Sequence, residues 1–315
     1  MLSLNAYGTI VPRILTEVKI TETCAGLWVR LVVPAIVFCV SASLSTIVVA
    51  QSPPEPPEGY RWVKNEAFSD EFNGTDLDSS KWHDHNPRWK GRVPGKFVPS
   101  SVSVKDGFLQ IKSTVLDPPD GEFTIACGAI QSKSQDALYG YYECRMKASS
   151  ISTSSTFWLT NTPVAIPGGT LGLELDIQEC IGNAQRWPSF KSEMKSNTHI
   201  NFRPDNKDEE KKEAKKGGST KLRSNVGDEF HTYGCWWVNA NEMKFYADGV
   251  YAFTITPSTD IVPHPFEHPL FMNLVCETYA WETPPTADDL ADDSRNTTYY
   301  DYVRSYKLVK AEPTN

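Results

Sequence analysis

From residue 60 onward, apolar positions recur at every second residue in short runs separated by Gly, Pro, Asn, Asp and Ser, and no stretch sustains the stripe of an amphipathic helix. This two-residue period predicts strands over 108–113, 128–134, 140–147, 156–160, 173–180, 197–203, 232–238, 243–247, 251–256, 270–276 and 299–309. Asp248 and Gly249, between two of these runs, form a hairpin signal because both turn positions tolerate positive φ. So many short strands bury their apolar faces most simply as two packed sheets, which makes the chain an all-β sandwich. The one low-complexity run, 207–221 (KDEEKKEAKKGGSTK), reads as a solvated surface loop of mixed charge.

Ahead of this pattern the chain changes character. Residues 31–50 are uncharged, follow Arg30 and end in Val48, Val49 and Ala50, which fits either a signal peptide cleaved after export or a retained N-terminal membrane anchor. Residues 51–59 (QSPPEPPEG) read as a stiff Pro-rich linker, so the folded domain is expected over 60–315. The expected location is secreted, periplasmic or cell-surface, with membrane contact only if the N-terminal segment is retained.

The formal net charge of the 315 residues is -8, and the first 50 residues carry Arg13, Lys19 and Arg30 against Glu17 and Glu22, so the remainder is acidic as well. A phosphate-backbone binder concentrates Lys and Arg, so nucleic acid is not the expected partner. Seven cysteines without a C-x-x-C pair give no zinc or dithiol signature; five of them follow residue 50, where export permits disulfides without requiring them. Nine Trp and 13 Tyr supply flat surfaces of the kind on which sugar rings stack.

The most informative segment is LELDIQEC, residues 173–180, which places Glu174, Asp176 and Glu179 on one predicted strand. Glu174 and Asp176 share a face, whereas Glu179 has the opposite parity. One extra residue in a β-bulge between Asp176 and Glu179 would return all three to one face. The two Glu would then lie four strand steps apart, about 13 Å between Cα atoms, which inward-leaning side chains can close to the roughly 5–5.5 Å used by retaining glycosidases. An acidic edge strand facing solvent is the plain alternative.

This triplet, together with FSDEFNGTDLDSSKW, SVSVKDGFLQIKS, YGYYECRMKAS, FHTYGCWW, YADGV and DYVRSY between about Phe68 and Tyr306, resembles glycoside hydrolase family 16. The resemblance implies a jelly-roll sandwich with a concave substrate cleft, and a retaining hydrolase with Glu174 as nucleophile, Glu179 as acid/base and Asp176 as the assisting carboxylate. SISTSSTFWL (150–159), CGAIQSKS (127–134), His199 to Arg203 and Glu277 to Trp281 are most similar to the β-agarase and β-porphyranase branch. By that likeness Trp89, Arg92, Trp158, His199, Arg203, Glu277 and Trp281 are expected to bind the sugar chain. Arg88, Arg92 and Arg186 equally suit the sulfate of a charged galactan.

The expected activity is endo-hydrolysis of β-1,4 galactosidic bonds in red-algal galactan, agarose first and porphyran second. κ-Carrageenan or β-1,3-glucan cleavage on the same fold is the alternative within the class, and a non-catalytic galactan-binding lectin the alternative outside it. The expected enzyme is a monomer that uses no cofactor for catalysis. The resemblance also implies a structural calcium ion on Asp301 and the carbonyl of Gly107.

Overall fold

The computed structural model describes residues 53–312, so the segment read as signal peptide or anchor lies outside the described residues. The strands in chain order are β1 (Tyr60–Lys64), β2 (Trp82–His83), β3 (Gly95–Phe97), β4 (Val102–Lys105), β5 (Phe108–Lys112), β6 (Thr114–Asp120), β7 (Phe123–Ser132), β8 (Gly140–Lys147) and β9 (Ser154–Thr160). They continue as β10 (Val164–Ile166), β11 (Gly169–Ile181), β12 (Glu193–Pro204), β13 (Lys212–Lys221), β14 (His231–Asn239), β15 (Glu242–Ala247), β16 (Val250–Ile255), β17 (Phe271–Glu277) and β18 (Thr297–Lys310). One sheet runs β16-β15-β14-β8-β18-β5-β4, with β1 on β18. The other runs β13-β12-β11-β9-β17-β7-β2, with β10 on β11 and with β3 and β6 on β7. All pairings are antiparallel except the short β3–β7 pair.

Alternation explains why the two sheets close on one another. Leu171, Leu173 and Leu175 of β11 meet Tyr142, Cys144 and Met146 of β8 and Tyr233, Cys235 and Trp237 of β14 in one core, each 2% exposed or less. Burying each side chain of this size contributes roughly 1.5–3 kcal/mol against an exposed position. The expected hairpin joins β15 to β16, with Asp248 and Gly249 at φ 47° and 76°.

Two sequence expectations are refined here. Residues 212–221 are not a loop: they form β13, the edge strand paired with β12 from Phe202↔Lys212 to Glu193↔Lys221. The run carries few apolar residues because one side of an edge strand is solvated, and its lysines hinder pairing with another sheet edge. The five thiols of Cys127, Cys144, Cys180, Cys235 and Cys276 are all free and buried.

The eight-stranded sheet holds a buried charge. Glu143 on β8 is 0% exposed, and its nearest cation, Arg304 Nη1, lies 4.0 Å away. Burial outweighs that cation and pushes the carboxyl up to about 7. A carboxyl raised in the folded state leaves the fold unpenalised below its unfolded pKa near 4.5. The penalty grows from pH 4.5 to about 7, reaching on the order of 3 kcal/mol, and levels off above that. Glu143→Gln is therefore expected to flatten part of the fall in Tm between pH 5 and 8.5, measured by thermal unfolding at several pH values.

Candidate active site

β11 lies between β9 and β12 and carries the three carboxylates. Against β9 its register runs Glu174↔Thr160 and Asp176↔Trp158, then shifts so that Gln178 opposes Phe157 and Glu179 opposes Thr156. Ile177 is the residue without a partner, and its insertion turns Glu179 back to the face of Glu174 and Asp176. All three line one cavity on the outer face of the ten-stranded sheet, with Trp89, Arg92, Trp158, Glu277 and Tyr279.

The two glutamates are held differently. Glu179 accepts a hydrogen bond from Asn197 Nδ2 at 2.5 Å and another from the Tyr279 hydroxyl at 2.9 Å. Burial and the neighbouring Glu179 raise the Tyr279 phenol well above its usual range, so it stays protonated and acts as a donor. On the other side, His199 faces Glu174 across β12, with Nε2 3.2 Å from Asp176 Oδ2 and 3.8 Å from Glu174 Oε1. Burial first, then repulsion from a neighbouring carboxylate, Asp176 beside Glu174 and Glu179 beside Asp176, raises Glu174 and Asp176, while burial lowers His199. Asp176, only 4% exposed, is raised well above its ordinary range and is the acid that holds a proton, while burial first and Asp176 second push Glu174 up to about 8.

The remaining expected sugar contacts sort by position. Trp158 packs edge-on against Trp89 at 6.4 Å and forms part of the cleft floor at 9% exposure, so it is both core and lining. Arg92 donates from Nε to Glu277 Oε2 at 3.1 Å and lies over the rings of Trp89 and Tyr279. Burial pushes Glu277 up to about 7, against the pull of that guanidinium. Arg203 lines an adjoining groove that also reaches Glu174. Trp281, 42% exposed, stacks on Tyr279 at 4.7 Å. Arg88 lies over Phe271, and the Arg186 backbone N–H donates to Glu282.

Asp301 and Gly107 belong to the opposite sheet, away from this cleft. Asp301 Oδ2 is taken by Arg145 Nη1 at 2.5 Å, so the carboxylate already has a cation and does not fit the expected calcium ligand as it stands. Within the cleft, Glu174, Asp176 and His199 bring three donor atoms within 4.8 Å of one another, where a divalent ion would compete with substrate.

Sequence reasoning did not single out Asn197 and Tyr279, the two donors on Glu179. Asn197 shares parity with His199 on β12, a usable signal; Tyr279 lies past the end of β17, where parity says nothing. Asn197 depends in turn on Gly217, its partner on β13. A Cβ there would sit 2.5 Å from Asn197 Oδ1. Gly217→Ala is expected to displace the amide from Glu179 and lower kcat about tenfold, with KM changed less and the Tm nearly unchanged because β13 is an edge strand. Steady-state kinetics beside a thermal melt checks this.

Comparison with known proteins shows the family. The family model described as the GH16 domain of β-porphyranases A–D matches residues 62–308. The chain belongs to glycoside hydrolase family 16. β-Porphyranase E of Zobellia galactanivorans is 52% identical over 257 residues, covering 81% of this chain and 91% of that protein. An extracellular agarase of Streptomyces coelicolor is 29% identical, covering 81% of this chain and 87% of its own length. The crystal structure of the β-porphyranase BpGH16B from the human gut bacterium Bacteroides plebeius superimposes with a TM-score of 0.77 at 43% identity, covering 82% of this chain and 96% of that one. The all-β jelly roll and the glycoside hydrolase class expected from the sequence are those of the family.

Proposed function

We propose that this family 16 hydrolase cleaves internal β-1,4 galactosidic bonds of red-algal galactan by a retaining double displacement, taking porphyran before agarose. The observation that carries the chemistry is the bulge at Ile177, which sets Glu174, Asp176 and Glu179 on one face of an aromatic-lined cleft. Glu174 attacks the anomeric carbon. Glu179 protonates the departing glycosidic oxygen and then activates water to release the product. Asp176 holds its proton beside Glu174 and thereby supports the ionised nucleophile.

The hydrogen bonds from Asn197 and Tyr279 fix the Glu179 carboxyl, so it need not reorganise as its charge changes. Trp89, Trp158 and Trp281 offer ring faces and edges to the sugar chain, and His199, Arg203 and Glu277 offer hydrogen bonds to its hydroxyls. The preference for porphyran rests on the greater identity shared with relatives named β-porphyranase than with the one named agarase, and it reverses the order expected from the sequence. Export and a monomeric state, both expected from the sequence, belong to this proposal.

The test is a panel of porphyran, agarose, κ-carrageenan, laminarin and lichenan, with released reducing ends measured and products weighed by mass spectrometry. Oligosaccharides from porphyran with fewer from agarose support the reading. Cleavage confined to laminarin or lichenan overturns the substrate while sparing the mechanism. Binding to galactan without release of any product overturns the catalytic reading in favour of a lectin.

A further inference from the structure

Beside Glu179 a second groove crosses β12 and β13, and its lining differs from that of the catalytic cavity. Trp187, Phe190 and Trp281 supply aromatic surface, while Lys195, Lys215 and Ser219 supply polar groups. Trp187 is 60% exposed, an unusual state for a Trp with no surface to cover. Ala214 packs against the core and a Cβ on Gly218 would strike the Phe253 ring, so the alternate positions Lys215, Gly217 and Ser219 face the cleft.

The two lysines are not equivalent. Lys195 Nζ is 2.8 Å from Glu193 Oε2 and sits over the Phe190 ring. Lys215 has no ion-pair partner among the described residues, although it stands in a row with His199 and Glu174 across β13, β12 and β11. Two strand spacings, about 10 Å, separate its Cα from that of Glu174. The cavity next to it gathers Glu174, Asp176, Glu179 and Glu277, and its one guanidinium, Arg92, is engaged by Glu277. Such a field repels an anionic polymer, so a charged substrate needs cations placed outside the carboxylate cluster. An uncharged sugar chain would use the aromatic faces and gain nothing from an unpaired ammonium.

We propose that this groove is a subsite for a sugar carrying a sulfate ester, with Lys215 Nζ as the sulfate's main partner, the Ser219 hydroxyl as a second donor, and an aromatic face of Trp281 or Trp187 under the ring. The proposal rests on the galactan reading and makes it specific: the cation that discriminates sulfated from unsulfated units is on the edge strand, not among the cleft arginines. Gly217, which faces the cleft, leaves room above the floor for the tetrahedral group.

The experiment compares wild type, Lys215→Gln and Lys215→Arg on porphyran oligosaccharides and on their counterparts desulfated by solvolysis, which leaves the free 6-hydroxyl. The ratio of kcat/KM for sulfated over desulfated substrate is expected to fall about tenfold or more in Lys215→Gln and to recover in Lys215→Arg. A ratio unchanged in Lys215→Gln overturns the assignment. A parallel arm measures, by calorimetry, binding of the same oligosaccharides to Glu174→Gln with and without Lys215→Gln. Weaker binding of the sulfated form alone, with the difference shrinking at high salt, supports the subsite. Equal binding of both forms by both proteins removes it. If the wild type cleaves no galactan, the activity proposal fails, and this binding arm still decides the subsite.

Discussion

Glu174→Ala and Glu174→Gln are expected to lower turnover of galactan by about 10⁴-fold or more, with the fold and substrate binding retained. Glu174 lines the cavity beside Asp176, and the proposed mechanism gives it the covalent step. Removing it takes away the covalent step and leaves a space beneath the anomeric carbon. Azide added to Glu174→Ala with an activated galactoside should enter that space and give the α-glycosyl azide, the product of a single inversion. Kinetics with and without azide, and the anomer of the azide product, check the prediction. Activity within tenfold of wild type in Glu174→Ala would remove Glu174 from the nucleophile's role.

Glu179→Ala should behave differently because its loss spares attack and impairs proton transfer. Turnover of polysaccharide is expected to fall by about 10²–10⁴-fold, the usual worth of general acid catalysis. An aryl galactoside with a good leaving group needs little protonation, so its loss should be far smaller in the first step, with deglycosylation becoming slow. Azide should then speed deglycosylation and give the β-glycosyl azide, with retention. The opposite azide stereochemistry of the two variants separates nucleophile from acid/base without reference to any other enzyme. Equal losses on activated and natural substrates would contradict the assignment of Glu179.

Much of this site is legible in the sequence because strand parity is a strong rule. Glu174 and Asp176 follow from the two-residue period of β11, and the parity fault at Glu179 itself calls for the bulge found at Ile177. Parity fails where the backbone is irregular: Trp89, Arg92, Tyr279 and Trp281 lie off the strands, and their places depend on loop conformations that local pattern does not encode. Resemblance to the family supplied Trp89, Arg92, Trp158, His199, Arg203, Glu277 and Trp281; neither pattern nor resemblance supplied Asn197 or Tyr279.

β13 was misread for a physical reason. An edge strand buries little, so it needs few apolar residues, and KEAKKGGSTK satisfies its hydrogen bonds through β12 instead of through a hydrophobic face. The Arg145 guanidinium on Asp301 is a tertiary contact that no spacing along β8 and β18 reveals.

The measurement that bears most directly on the bulged carboxylate trio is the anomeric configuration of the first product released from galactan by the wild-type enzyme, followed by proton NMR before mutarotation. A double displacement through Glu174, with Glu179 close enough to serve both steps, requires the β-anomer to appear first and the α-anomer to grow in later. An α-anomeric first product would mean direct attack by water and carboxylates held too far apart for a covalent intermediate, and would contradict the mechanism assigned to Glu174, Asp176 and Glu179.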